Sequence, residues 1–195
     1  MVKKFFLAVA ALALICTPGT AKQVAGVDMP DSYSAGQDKL VLNGAAMREK
    51  YAIGVDVYVG GLYLKAKSSN ALQIVNADEP MMIRLHLVRS VNSKDFSDNT
   101  LTGFEESCKN LGIDQKSIDK DINIFLEIFK DGIKKNDIFD IVYTKANGIQ
   151  VFKNKSQTPK VTIKNMTLKK ALFGIWLTKR TEDKLNILAQ GMLGL

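Results

Sequence analysis

The chain has 195 residues, 46% of them hydrophobic and 24% charged, with a formal net charge of +7. That length and apolar content suit one domain of ordinary size with a real core, and there is no internal repeat or low-complexity segment. Two cysteines and one histidine exclude a disulfide scaffold and a histidine-rich metal centre.

Lys3 and Lys4 form a short positive segment, and Phe5 through Cys16 is an uncharged apolar run that Pro18 and Gly19 break. Gly19 and Ala21 place small residues where a signal peptidase reads, so residues 1–21 are expected to be a signal peptide cleaved after Ala21. The run is shorter than the roughly 20 residues that cross a bilayer. Ile15 before Cys16 is the wrong size for a lipoprotein cleavage, which would need that cysteine at the mature terminus. The mature domain would span 22–195 in a periplasmic or secreted setting, and losing Lys3 and Lys4 lowers the formal charge from +7 to +5. Much of the excess lies late in the chain, at Lys134, Lys135, Lys153, Lys155 and Lys160 among others. A basic surface suits anionic partners and leaves open a transient contact with a membrane surface, while export argues against nucleic acid.

Lys39–Leu42 reads as a short strand. Ala45–Ala52 and Val55–Ala66 alternate as a hairpin around Ile53-Gly54. Met81–Arg89 is a further strand, with Ile83, Leu85 and Leu87 on one face and Arg84 and His86 on the other. Ser93 is a cap for a helix whose apolar positions are Phe96, Leu101, Phe104, Cys108 and Leu111. Ile118, Ile122, Phe125, Leu126 and Phe129 repeat at helical spacing on a second helix, which Asp131-Gly132 ends. Ile138–Tyr143, Ile149–Lys153 and Lys160–Lys164 form a three-strand meander. Leu168, Leu172, Ile175 and Trp176 are the apolar face of a third helix; Thr181 caps a fourth, with Glu182 and Asp183 in its first turn. This grouping predicts an α+β fold, an antiparallel sheet with helices gathered on one side.

Familiar catalytic sets are absent. His86 stands alone in mid-strand, Cys108 reads as a small core residue, and no phosphate-binding glycine loop is present. No cofactor and no metal are expected. One segment stands apart: Leu42-Asn43-Gly44-Ala45-Ala46-Met47-Arg48, followed by Tyr58-Val59-Gly60-Gly61-Leu62-Tyr63-Leu64. An arginine in an apolar strand needs a partner if its face is buried, and its forked donors suit a carboxylate or enolate oxygen. Tyr58 on the partner strand could add a hydroxyl. Spacing alone favours instead an exposed arginine on the solvent face of a hairpin. It also leaves Tyr51 and Tyr63 as other partners, although alternation puts Tyr58 and Tyr63 on opposite faces.

That hairpin resembles the N-terminal hairpin of the chalcone isomerase-like family. Val27-Asp28-Met29-Pro30-Asp31 resembles the family's opening motif, and Phe125–Phe129, Asn165–Leu177 and the last helix fall where the family has helical segments. The resemblance implies an open-faced β-sandwich, a large antiparallel sheet covered by a layer of helices, with a ligand cleft between them. The family includes flavonoid-forming isomerases, non-catalytic relatives and fatty-acid-binding proteins. The isomerases' hairpin arginine is matched by Arg48. Their partner-strand threonine appears as Tyr58, their helix-start tyrosine as Phe96, their asparagine near Gly103, and their late-helix serine or threonine near Lys169. Phe96 cannot donate a hydrogen bond, and lost donors cost such chemistry heavily. The fatty-acid-binding members instead pair an arginine with a tyrosine on the neighbouring strand, as Arg48 and Tyr58 do, to hold a carboxylate.

Three functions therefore stand. The first is an exported binding protein for a fatty acid or similar amphipathic carboxylate, with Arg48 and Tyr58 at the head and Phe96, Phe104, Lys169, Leu172 and Trp176 lining the cleft. The second is an isomerase or intramolecular lyase of the chalcone isomerase type, with Arg48 as its catalytic residue. The third is a non-catalytic interaction protein in which Arg48 is a structural ion-pair residue.

Overall fold

A computed structural model describes residues 21–50 and 54–195. Strands β1 (Ala21–Val24) and β2 (Val27–Pro30) form a small hairpin. Seven further strands form one sheet: β3 (Ser32–Ala35), β4 (Asp38–Lys50), β5 (Val55–Leu64), β6 (Met81–Leu87), β7 (Ile138–Thr144), β8 (Gly148–Lys153) and β9 (Val161–Ile163). They lie in sequence order and every neighbouring pair is antiparallel. Helix α1 (Ala71–Asn76) joins β5 to β6, and α2 (Ser93–Leu111) and α3 (Asp119–Leu126) join β6 to β7. Helices α4 (Met166–Leu177) and α5 (Asp183–Leu193) follow the meander.

Alternation along β6 divides the two faces. Ile83, Leu85 and Leu87 join the larger core with Phe104, Phe125, Phe129, Leu168 and Leu172 from the helices. Met82, on the other face, joins Leu40, Val59, Tyr63 and Val142 beneath Val27 and Met29 of the small hairpin. Gly61 makes that cover close: a Cβ there would collide with the Met29 methyl. The architecture is the α+β, helix-covered antiparallel sheet that the resemblance implies, with the cleft side of the sheet beneath the helices.

Several local expectations are corrected. Lys39–Leu42 and the strand from Ala45 are one strand, β4, with a register shift between Leu42 and Gly44. Asn43 fills the irregularity; its amide donates to the Met192 carbonyl at 2.9 Å and accepts from the Ser68 N–H at 2.8 Å. Gly44 is needed because any Cβ would meet the Gly191 carbonyl, so α5 lies directly against β4. Asn92, not Ser93, caps α2, accepting from the Lys94 and Asp95 N–H groups. Glu182, not Thr181, holds the cap position of α5, and its side chain makes no capping bond because it is engaged elsewhere. Ile53 of the expected Ile53-Gly54 turn, Tyr51, and residues 1–20 of the expected signal peptide 1–21 lie outside the described residues.

Candidate cleft between sheet and helices

Where β4 and β5 meet α2, α4 and the start of α5, a cavity of about 660 Å³ opens, with Arg48, Val57, Tyr58, Phe96, Ile175 and Trp176 in its walls. That size lies within the roughly 300–1,000 Å³ of small-ligand pockets. Arg48 and Tyr58 sit directly opposite each other in the β4–β5 ladder, so strand pairing alone brings them to the same face. A second register shift, between Arg48 and Glu49, follows immediately; such bulges re-aim side chains beside functional sites.

Arg48 is buried and already paired. Its Nη1 and Nη2 donate to Glu182 Oε1 and Oε2 at 2.8 and 2.7 Å, and Nη1 also reaches the Glu49 carbonyl. The fork is fully engaged, as guanidinium and carboxylate geometry favours. The Arg48 side chain is 8% exposed and the Glu182 side chain 43%. The Tyr58 hydroxyl accepts from Trp176 Nε1 at 2.9 Å. Burial pushes the Tyr58 phenol up, against the Trp176 hydrogen bond and the nearby Arg48 and Arg180 charges. It therefore keeps its proton at neutral pH and remains a hydrogen-bond donor. The Phe96 ring meets Tyr58 edge-on with centroids 6.4 Å apart.

A second ion pair stands on the helix side. Arg180 Nε donates to Glu106 of α2, and its Nη1 donates to the Ile175 carbonyl at 2.8 Å. Burial acts to raise the Glu106 pKa, but hydrogen bonds from Arg180 and the Thr181 N–H outweigh it and hold the carboxyl below its ordinary value. Asn110 grips the Lys179 carbonyl, and Asn186 bonds both the N–H and the carbonyl of Arg180. The connection between α4 and α5 is thus held to α2 and to the first turns of α5.

Of the residues expected to hold a ligand, Arg48, Tyr58, Phe96 and Trp176 meet in this cavity. Phe104 and Leu172 are fully buried in the larger core and do not line it. Lys169 is also placed elsewhere, wholly buried against the end of α1. Its Nζ donates to the carbonyls of Ile74, Val75 and Ala77 at 3.2, 2.9 and 2.7 Å. Tyr143 and Phe173 flank the ammonium, and burial pulls its pKa down to about 8. Tyr63 faces the opposite side of the sheet, where its hydroxyl has no hydrogen-bond partner among the described residues and burial pushes it up to about 12. The sequence reading missed Glu182, Glu106 and Arg180. A buried arginine signals that an acid must exist, but nothing local says which acid 134 residues away supplies it. Among the described residues no group of three or more histidine, cysteine or acidic side chains is placed to hold a metal.

An antiparallel sheet under helices, with an arginine and a tyrosine paired across neighbouring strands at the cleft, defines the class. The chain belongs to the chalcone isomerase-like family, whose model matches residues 21–194. Among solved structures it is similar to the crystal structure of an Arabidopsis thaliana fatty-acid binding protein. The TM-score is 0.64 at 18% identity, covering 86% of this chain and 92% of that one. No curated protein sequence matches the chain significantly.

Proposed function

We propose that this protein binds a fatty acid or a similar amphipathic carboxylate in the cleft, and that it does so as an exported protein after removal of residues 1–21. The observation that carries the binding reading is the Arg48–Tyr58 pair in the wall of a cavity that Val57, Phe96, Ile175 and Trp176 also line. A guanidinium fork with a protonated phenol beside it offers charge-assisted hydrogen bonds to a carboxylate, and the apolar wall takes an acyl chain. The similar Arabidopsis protein is described as fatty-acid binding, which supports the same ligand class here. Phe96 at the cleft speaks against isomerase chemistry, because it supplies no donor where that chemistry needs one.

The test is mass spectrometry of small molecules extracted from purified wild-type protein and from Arg48→Ala. A long-chain carboxylic acid in near-stoichiometric amount from the wild type, and its loss from the variant, is the expected result. Absence from both, with no uptake of added acid, would sink the reading. Export is checked on the same sample: the intact mass of protein from the periplasm should correspond to a chain beginning at Lys22.

A second reading draws on the Arg48–Glu182 contact. If Arg48 serves that ion pair alone, the chain keeps the fold as a non-catalytic interaction protein, and Arg48→Ala changes stability without changing any bound small molecule.

A further inference from the structure

Glu182 supplies to Arg48 what a fatty acid would supply: two carboxylate oxygens at 2.7 and 2.8 Å on the same fork. Yet its surroundings differ from those of an ordinary buried partner. Its side chain is 43% exposed, and although it stands at the cap position of α5 it bonds no helix N–H. The backbone leading into it is fixed independently. Asn110 and Glu106 hold residues 179–181 to α2, and Asn186 closes on Arg180. Rotation of the Glu182 side chain into water is therefore enough to vacate the carboxylate position on Arg48, whose Nη1 keeps the Glu49 carbonyl, and no helix need move. Once outside, the carboxylate still lies at the N-terminus of α5, where the helix dipole favours negative charge. Tyr58, in contrast, cannot turn away, because Trp176 holds its oxygen.

We propose that Glu182 is an internal competitor that sets the specificity of the cleft: it occupies the carboxylate position in the empty protein and yields it only to an acid whose apolar tail also binds. This rests on the carboxylate-binding reading above. A head group alone exchanges one carboxylate for another and gains little, so short acids are rejected. A long acid gains in addition the burial of its apolar chain along Val57, Phe96 and Ile175. A neutral long-chain alcohol leaves the Arg48–Glu182 pair intact and does not feel the competition.

The experiment uses Trp176, the sole tryptophan and part of the cleft wall, as the reporter. Its fluorescence is titrated with dodecanoate, butyrate and dodecan-1-ol in wild type, Glu182→Gln, Glu182→Asp and Arg48→Ala, with thermal unfolding run on each. If the Glu182-occupied state outweighs the open state about tenfold, Glu182→Gln tightens dodecanoate about tenfold. It leaves dodecan-1-ol unchanged and brings butyrate into measurable range. Glu182→Asp, too short to make both bonds, shows a smaller gain of the same sign. Wild-type binding of dodecanoate that Arg48→Ala abolishes but Glu182→Gln fails to improve would overturn the competitor and leave acid binding standing. Equal gains for acid and alcohol would also overturn it, since they point to a wider mouth. No binding of dodecanoate by either wild type or Glu182→Gln would remove the ligand reading, and the competitor with it.

Discussion

The two faces of the sheet each bury an arginine, and they pair it in opposite ways. On the outer face, Arg84 of β6 and Asp140 of β7 are direct cross-strand partners, joined at 2.7 and 2.8 Å, with side chains 7% and 4% exposed. The Tyr33 and Tyr63 rings lie about 6 Å from the guanidinium. On the helix-covered face, Arg48 is as deeply placed, but its acid comes from another layer and stands half in water. Strand pairing fixes both ends of the first bond; only one end of the second is fixed. The first arrangement suits a permanent fastening, and the second suits a site that must open.

The largest expected effect breaks the fastening. Arg84→Ala leaves Asp140 charged and unpaired on a buried face, at a cost of about 3–5 kcal/mol of folding stability in chemical denaturation. Replacing both partners with apolar residues, Arg84→Met with Asp140→Leu, should recover most of that loss. Arg48→Ala should cost only about 1–2 kcal/mol, mainly from the lost packing of its stem, because Glu182 can turn out to solvent. If the two single variants are equally damaging, the distinction between the faces is wrong.

Lys169, another buried cation, is solved differently again, and it sharpens the contrast. Three backbone carbonyls hold it, and no acid among the described residues bonds it directly. Burial lowers its pKa to about 8, against an ordinary 10.5. Below about pH 8 the lysine is charged in both folded and unfolded chains, and the folded state bears the desolvation cost. As pH rises through about 8 the folded protein releases the proton while the unfolded chain still holds it, so stability increases with pH. The slope attributable to this group approaches about 1.4 kcal/mol per pH unit between pH ~8 and ~9.5. Above that window Tyr63 and Tyr143, each pushed up to about 12, act the other way. The buried Cys108 thiol, also pushed up, opposes the rise in the same window in any variant that keeps it. The denaturation midpoint of wild type should therefore rise relative to that of Lys169→Met across the window, whatever the variant's absolute stability.

These contrasts also mark what was legible in the sequence. The alternation of Ile83, Leu85 and Leu87 against Arg84 assigned both faces of β6. The spacing of Phe96, Phe104 and Cys108 located α2 on its core. Local patterning suffices there because each depends on residues close in sequence or on one ladder. The hairpin put Tyr58 on the strand beside Arg48 but left Tyr51 and Tyr63 open, because the register shift at Arg48 and Glu49 that sets the pairing is not visible in the alternation. The same patterning could not tell wall from core: Phe96 and Phe104 have the same chemistry on one helix, and only the placement of α4 and α5 leaves the first beside the cavity. Lys169 was misplaced because its position came from the family's late helix, whereas its role is set by the far end of α1, a six-residue helix that the hydrophobic pattern did not reveal. Asn43-Gly44 read as a break between strands because its compensation comes from Ser68 and Met192, one of them 149 residues away.

The smallest expected effect is the most discriminating. Glu182→Gln removes the charge of an acid that is nearly half exposed, so it should change folding stability by less than about 1 kcal/mol. The glutamine keeps one oxygen for Arg48, and the Glu49 carbonyl remains within reach of the same nitrogen, so the guanidinium is not stranded. A change this small at a side chain bonded to both terminal nitrogens of Arg48 means that the pair contributes little to the fold. A buried arginine retained in a strand without a matching return in stability is then best explained by what enters the cleft. If Glu182→Gln proves instead as damaging as Arg84→Ala, both ion pairs are fastenings, and the helix-covered face loses its claim to be built for exchange.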